Sequence, residues 1–378
     1  MKRISTITYS IVFLLVIGGL GTFSFTRLIN YYDTGVVENN EWTVALGSKL
    51  EADIATNFCE KSAFVNFNGA LHRVLGQREM NGVVKLENGY LLTTYDYQED
   101  EKLRSNADKV IKMKNYLDEK GITFLYVIPP YTSCRYDPQL PAGVSDYGND
   151  NLDRFAQMLE EGGVELLDIR KTMQEDGVDH YDMMYKTDHH WTTKAGFYAY
   201  SKMNDILMQR LDCEVDPKVM DFSNYSVTTY PEWHLGSRGQ RTGAYFAGID
   251  DFDLILPAFE TDISYDSEEG VFEDIVINKK ALDKKEQTSR YTYDNVLGRS
   301  CEHNFINNRA LNDKRILMVT DSFGKAVNPF LILSYGEMKT GEADYPTINE
   351  YKPDAVVVLH YINNILKEDE YDDFVGVK

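Results

Sequence analysis

Arg315-Ile-Leu-Met-Val-Thr-Asp-Ser-Phe-Gly324 sets an apolar run between polar ends and then places an acid beside a hydroxyl. The run Arg315 to Thr320 reads as a buried strand, and the apolar stretch 325–333 after it can be helical. A strand that turns sharply into a helix lifts a hydroxyl clear of the sheet edge and aims the helix's first N–H groups at the same spot. Ser322 is therefore a candidate nucleophile with part of an oxyanion site beside it. The plainer alternative is a polar helix start, because Asp and Ser are both frequent caps.

A serine hydroxyl needs a base, and Thr187-Asp-His-His-Trp-Thr192 offers one. If this segment is extended, its side chains alternate, so Asp188 and His190 share a face while His189 points away. Asp188 then holds one ring nitrogen of His190 and leaves the other to take the serine proton. His190 is the expected base, Asp188 its orienter and His189 a structural partner. A metal site built from Asp188, His189, His190 and His180 is a rival, since these are good ligand types. Adjacent histidines diverge in an extended segment, so the expectation is no metal.

Outward from these two stretches the chain alternates helix and strand. Leu103, Ala107, Val110, Ile111, Tyr116 and Leu117 recur at near-helical spacing, and Gly121 ends that helix before the apolar run 122–128. A second helix from about Asn151 to Glu161 stops at Gly162-Gly163 ahead of a strand over 164–168. Thr192 or Thr193 caps a helix carrying Ala195, Ala199, Met203, Leu207 and Leu211. The run 354–359, with three consecutive valines, is another strand. Strands separated by helices predict an α/β fold with a mostly parallel sheet covered on both faces. Asn88-Gly89 marks a short hairpin. Residues 215–312 show weak periodicity and read as an insertion or irregular lobe, whose Tyr230, Trp233 and Tyr245 offer flat faces to a sugar or simply pack a core.

The 378 residues are 43% hydrophobic, enough for a large core, and the formal net charge of -21 repels phosphate backbones. Nucleic acid is excluded as a partner. Residues 4–26 carry no charge, follow Lys2 and Arg3, and are long enough at ~1.5 Å per residue to cross a membrane core of ~30 Å. The preferred reading is an uncleaved single-pass anchor over residues 1–30 with everything beyond it outside the cytoplasm, over a cleaved signal. Residues 31–79 would be a linker or subregion, and 80–378 the main domain. Cys59, Cys134, Cys213 and Cys301 lack metal-knuckle spacing, and stand either as disulfides in one of three complete pairings or as free thiols.

Thr187-Asp-His-His-Trp-Thr192 resembles the signature of the DHHW proteins, which are similar to the SGNH-hydrolase-like domains of the alginate O-acetylation proteins. Asn81-Gly-Val, Asn88-Gly-Tyr-Leu-Leu, Tyr126-Val-Ile-Pro-Pro, Leu140-Pro, Gly236-Ser-Arg-Gly-Gln-Arg-Thr-Gly243, Asp321-Ser-Phe-Gly324 and Tyr351-Lys-Pro-Asp-Ala-Val-Val extend the resemblance over roughly residues 80–360. It implies an SGNH-hydrolase-like three-layer fold in permuted order, with Asp and His before Ser, and a triad of Ser322, His190 and Asp188. Gly239, Gly243, Arg241 and Asn363, with Asn364, are the candidates for completing the oxyanion and substrate site. The resemblance further implies acetyl transfer to hydroxyls of a cell-surface polysaccharide, outside the cell, with a membrane-bound acyltransferase as donor. Nothing resembles a coenzyme A or nucleotide site, so no cofactor is expected. The acidic surface favours a neutral or cationic glycan over an anionic one. Two alternatives share these residues or this fold: a carbohydrate acetylesterase with the same triad, and a non-catalytic, membrane-tethered polysaccharide-binding protein.

Overall fold

Every residue of the strand Ala355–Leu359 is buried, as are the four central residues of Arg315–Thr320. Strands buried on both faces belong in the middle of a covered parallel sheet. The computed structural model places them there. It describes residues 61–375, apart from 266–267, 284–290 and 302–303, together with residues 14, 18 and 19. The proposed anchor lies almost wholly outside the described residues, and among those residues no helix is long and apolar enough to cross a membrane. The chain divides into two units, residues 1–68 and 69–378. Among the described residues, every strand belongs to the second unit.

The central sheet has eight strands in the order Leu166–Asp168, Thr123–Ile128, Ala355–Leu359, Arg315–Thr320, Glu337–Thr340, Asn304–Asn307, Ile263–Tyr265 and Glu268–Gly270. The first five run parallel, with Leu317 level with Val356 and Val357 level with Leu125. The last three pair antiparallel. This is an α/β fold with a mostly parallel centre. Helices Asp100–Glu119, Gly148–Glu161 and Thr193–Leu211 turn their apolar sides inward through Leu103, Val110 and Leu117, through Leu152, Phe155 and Leu159, and through Ala199, Met203 and Leu207. Thr192 caps the third helix, its hydroxyl accepting the Ala195 N–H at 3.2 Å.

Two local expectations change, and the hairpin at Asn88-Gly89 is found where it was expected. Residues 215–312 are not an irregular lobe alone: they supply the three antiparallel edge strands and a separate hairpin, Tyr225–His234 against Asp250–Pro257. Strands of three or four residues are too short to leave a period in the sequence. The stretch after Ser322 is not one helix but a 3₁₀ turn, Ser322–Ala326, followed by the short helix Asn328–Ile332. The turn near Asn88-Gly89 joins Val83–Lys85 to Leu91–Leu92, and a second one at Asn81-Gly82, with φ of 52° and 69°, joins Glu79–Met80 to Val83–Lys85. Positive φ at both central residues is the geometry for which Asn-Gly is favoured. Cys134 and Cys213 are free thiols, so the complete pairing of four cysteines is not formed.

Candidate active site

Ligand sites of open parallel sheets lie outside the carboxyl ends of the strands. Ser322 follows the carboxyl end of Arg315–Thr320, and Tyr361 lies just past that of the neighbouring Ala355–Leu359. Asp321 ties the two ends together by accepting the Phe323 N–H at 2.9 Å and the Tyr361 N–H at 2.6 Å. Burial pushes its carboxyl up to about 6, against those two hydrogen bonds. The helix Thr193–Leu211 reaches this turn because residue 196 is glycine, where any Cβ would collide with the Ala326 carbonyl.

Asp188, His190 and Ser322 meet. The Ser322 hydroxyl lies 2.6 Å from His190 Nε2, and His190 Nδ1 lies 2.9 Å from Asp188 Oδ2. Since a carboxylate only accepts, His190 carries its hydrogen on Nδ1 and offers a lone pair to the serine. Asp188 and His190 are buried, while Ser322 is partly exposed. Burial lowers the His190 imidazole to about 4, with Asp188 opposing, so the base is neutral near pH 7. Burial alone would raise Asp188, but His190, His189 and His234 hold it well below the usual carboxylate range.

The pair is reached by a different route from the expected one. Residues 185–190 are not extended; they form a loop closed by a Met184–Trp191 bridge and by the Tyr185 N–H donating to the His190 carbonyl at 3.2 Å. His189 consequently does not point away, and its ring stands 3.9 Å from that of His190. Its backbone N–H donates to Asp188 Oδ1 at 2.8 Å, and its Nδ1 meets the Ser237 hydroxyl at 2.9 Å.

Several residues that sequence reasoning left out complete the site. Ser237 donates to Asp188 Oδ1 through its hydroxyl at 2.8 Å and its N–H at 3.1 Å, and buried His234 reaches Asp188 Oδ2 through Nε2 at 3.1 Å. Arg238 Nη1 donates to the carbonyls of Asp188 at 3.0 Å and Leu91 at 2.7 Å and to the Thr132 hydroxyl at 2.7 Å. Tyr291 places its hydroxyl 3.0 Å from His190 Nδ1, and the Tyr293 ring stacks on His190. Ser237 and Arg238 stand inside the Gly236–Gly243 motif; His234, Tyr291 and Tyr293 left no mark in the spacing.

The four residues expected at the oxyanion and substrate site lie elsewhere in the hydrogen-bond network. The Gly239 N–H donates to the Thr187 carbonyl at 2.8 Å, and the Gly243 N–H donates to the Gly239 carbonyl at 2.7 Å. Arg241 Nη2 donates to the Asn81 carbonyl at 2.6 Å, pinning the Asn81-Gly82 turn, and Asn363 accepts from the Tyr95 hydroxyl. Asn364 donates to Glu370 at 2.7 Å. The glycine that does close on the triad is Gly236, where a Cβ would collide with Asp188. At the serine turn, the Phe323 and Gly324 N–H groups are bound to Asp321, at 2.9 Å and 3.1 Å.

Asp188, His189 and His190 do bring metal-ligand atoms within 4.8 Å of one another. A cation there would have to displace the donors that Ser237, His189 and His234 direct at Asp188, so the arrangement fits a hydrogen-bonded carboxylate better than a ligand set. His180 is not in this group; it meets the Thr132 carbonyl at 3.3 Å and lines a cavity of 210 Å³ with Cys134, Arg170 and Tyr181.

Residues 83–224 match the SGNH hydrolase-like domain of acetyltransferase AlgX. Over that stretch the chain is similar to an SGNH hydrolase-like domain. Its fold is similar to that of Bacillus cereus PatB1, solved with a sulfonyl adduct, at a TM-score of 0.61 and 17% identity over 79% of this chain and 99% of that one. A DHHW family protein from Eubacterium siraeum superposes at 0.56 with 16% identity, over 79% and 98% of the two chains. No curated protein matches. The AlgX-like stretch contains Asp188 and His190 but ends before Ser322, which the fold then brings to His190.

Proposed function

We propose that this protein transfers an acyl group, acetyl in the first instance, to hydroxyls of a cell-surface polysaccharide through an acyl-Ser322 intermediate. The observation that carries the reading is the unbroken chain from Asp188 through His190 to the Ser322 hydroxyl. His190 takes the Ser322 proton as Oγ bonds to the acyl carbon, and the carbonyl electrons move onto oxygen. The Ser322 N–H is the backbone donor assigned to that oxyanion, its two successors being bound to Asp321. His190 returns the proton to the leaving group, and a sugar hydroxyl repeats the cycle in reverse to take the acyl group. The AlgX-type match supports acetyl as the group and polysaccharide as the acceptor class. Lys2, Arg3 and the uncharged residues 4–26 support a single-pass membrane location with the domain outside, where a membrane acyltransferase would supply the donor.

The test combines a chemical probe with a cell. A sulfonyl fluoride should modify Ser322 alone, found by peptide mass spectrometry, and Ser322→Ala should remain unmodified. Deleting the gene should lower the O-acetyl content of a surface glycan, and a Ser322→Ala copy should fail to restore it. Acetylation that rises on deletion would mean hydrolysis rather than transfer, and unchanged acetylation of every surface polymer would refute both.

A further inference from the structure

The Tyr293 ring lies over the His190 imidazole at 4.4 Å between centroids and 21° between planes, and its hydroxyl donates to the carbonyls of Ser322 at 3.1 Å and Phe323 at 3.3 Å. One fully buried side chain thus touches both the base and the backbone of the nucleophile. We propose that Tyr293 is a positioning residue that holds His190 and Ser322 in register and stabilises the imidazolium that exists only while the serine proton is on His190.

The inference rests on Ser322 being the nucleophile. Before reaction the imidazole is neutral and gains only van der Waals contact from the ring. When Oγ attacks, its proton and a positive charge arrive on the imidazole, and the negative face of the tyrosine ring attracts that charge in a site from which water is excluded. An attraction that appears only with the charge lowers the barrier rather than tightening substrate binding. The hydroxyl has a separate task. With Trp191 Nε1, which also donates to the Phe323 carbonyl at 3.1 Å, it fixes the backbone on which Ser322 stands. Tyr293 comes from the short helix Thr292–Leu297, so the poorly periodic region 215–312 supplies it along with His234, Ser237 and Tyr291.

Replacing Tyr293 by Phe, and then by phenylalanines carrying one, two and three fluorines, removes first the hydroxyl and then, stepwise, the negative face while keeping the ring. Fluorination should weaken His190 protonation, followed by NMR titration, by about threefold or more across the series. The acylation rate with an activated acetyl ester should fall in parallel while KM holds. Tyr293→Phe itself should lose about tenfold in kcat, with the His190 titration close to wild type. Equal His190 protonation in the unfluorinated and trifluorinated proteins would overturn the inference, and that titration needs no turnover. Loss of Ser322 modification by the sulfonyl fluoride would strike instead at the reading of Ser322.

Discussion

At the scale of single residues, the proposed mechanism requires Asp188, His190 and Ser322 to act as one unit, because each is useful only through the next. Ser322→Ala or His190→Ala should lower kcat/KM on an activated acetyl ester by several orders of magnitude, and the double variant should be little worse than either. Additive losses would show that the two act independently. The pH profile carries a second signature. As the proposed base His190 must be neutral, and burial lowers it to about 4, so turnover should persist on acidification and fall as pH drops through about 4. An acid limb at the ordinary histidine value of 6.5 would mean that water reaches the imidazole. That Asp188, His190 and Ser322 come together was legible in sequence because Asp-x-His and a strand ending in Asp-Ser are local patterns. Their immediate surroundings were not: His234 and Tyr293 lie 44 and 103 residues beyond His190, and only the fold brings them back.

Among the elements, close approach between backbone segments matters more than propensity. Gly196 sits inside the helix Thr193–Leu211, where alanine would ordinarily stabilise by about 1 kcal/mol. Its neighbour, however, is the Ala326 carbonyl of the serine turn, and backbone cannot swing aside as a side chain can. Gly196→Ala should therefore destabilise, by about 1–3 kcal/mol, and displace Ser322 as well. Urea midpoints together with ester turnover check this, and a variant as stable and active as wild type would show that the turn can yield. Helices were readable because each repeats a period over many residues, and the buried strands because each is an unbroken apolar run. The edge strands at 263–265 and 268–270 and the loop at 185–190 were not, since three-residue strands have no period and a bridge between Met184 and Trp191 has no local signal. Reading 187–192 as extended gave the right partner for Asp188 by way of a wrong backbone, and so misplaced His189.

For the molecule as a whole, three buried histidines are held neutral. Burial lowers His180 and His190 to about 4 and His360 to about 3. A group depressed in the folded state contributes stability that is fully present above its unfolded value of 6.5 and is lost as pH falls toward the folded value. Asp188, held low, acts in the same direction at lower pH. Asp321, raised to about 6, acts in the opposite one, its contribution present below 3.8 and lost as pH rises through about 6. Burial raises Asp146 and Asp250 as well, but between pH 7 and about pH 4.5 the three strongly lowered imidazoles outweigh these three carboxyls, so Tm should fall over that range, and a flat Tm would contradict the burial of these rings. The strand order carries a consequence for biosynthesis. Ala355–Leu359 is inserted between Thr123–Ile128 and Arg315–Thr320, so the sheet's two earlier halves cannot join until residue 359 has left the ribosome. Throughout that interval both neighbours present unpaired apolar edges, and a stop codon ahead of residue 355 would leave the sheet without its keystone.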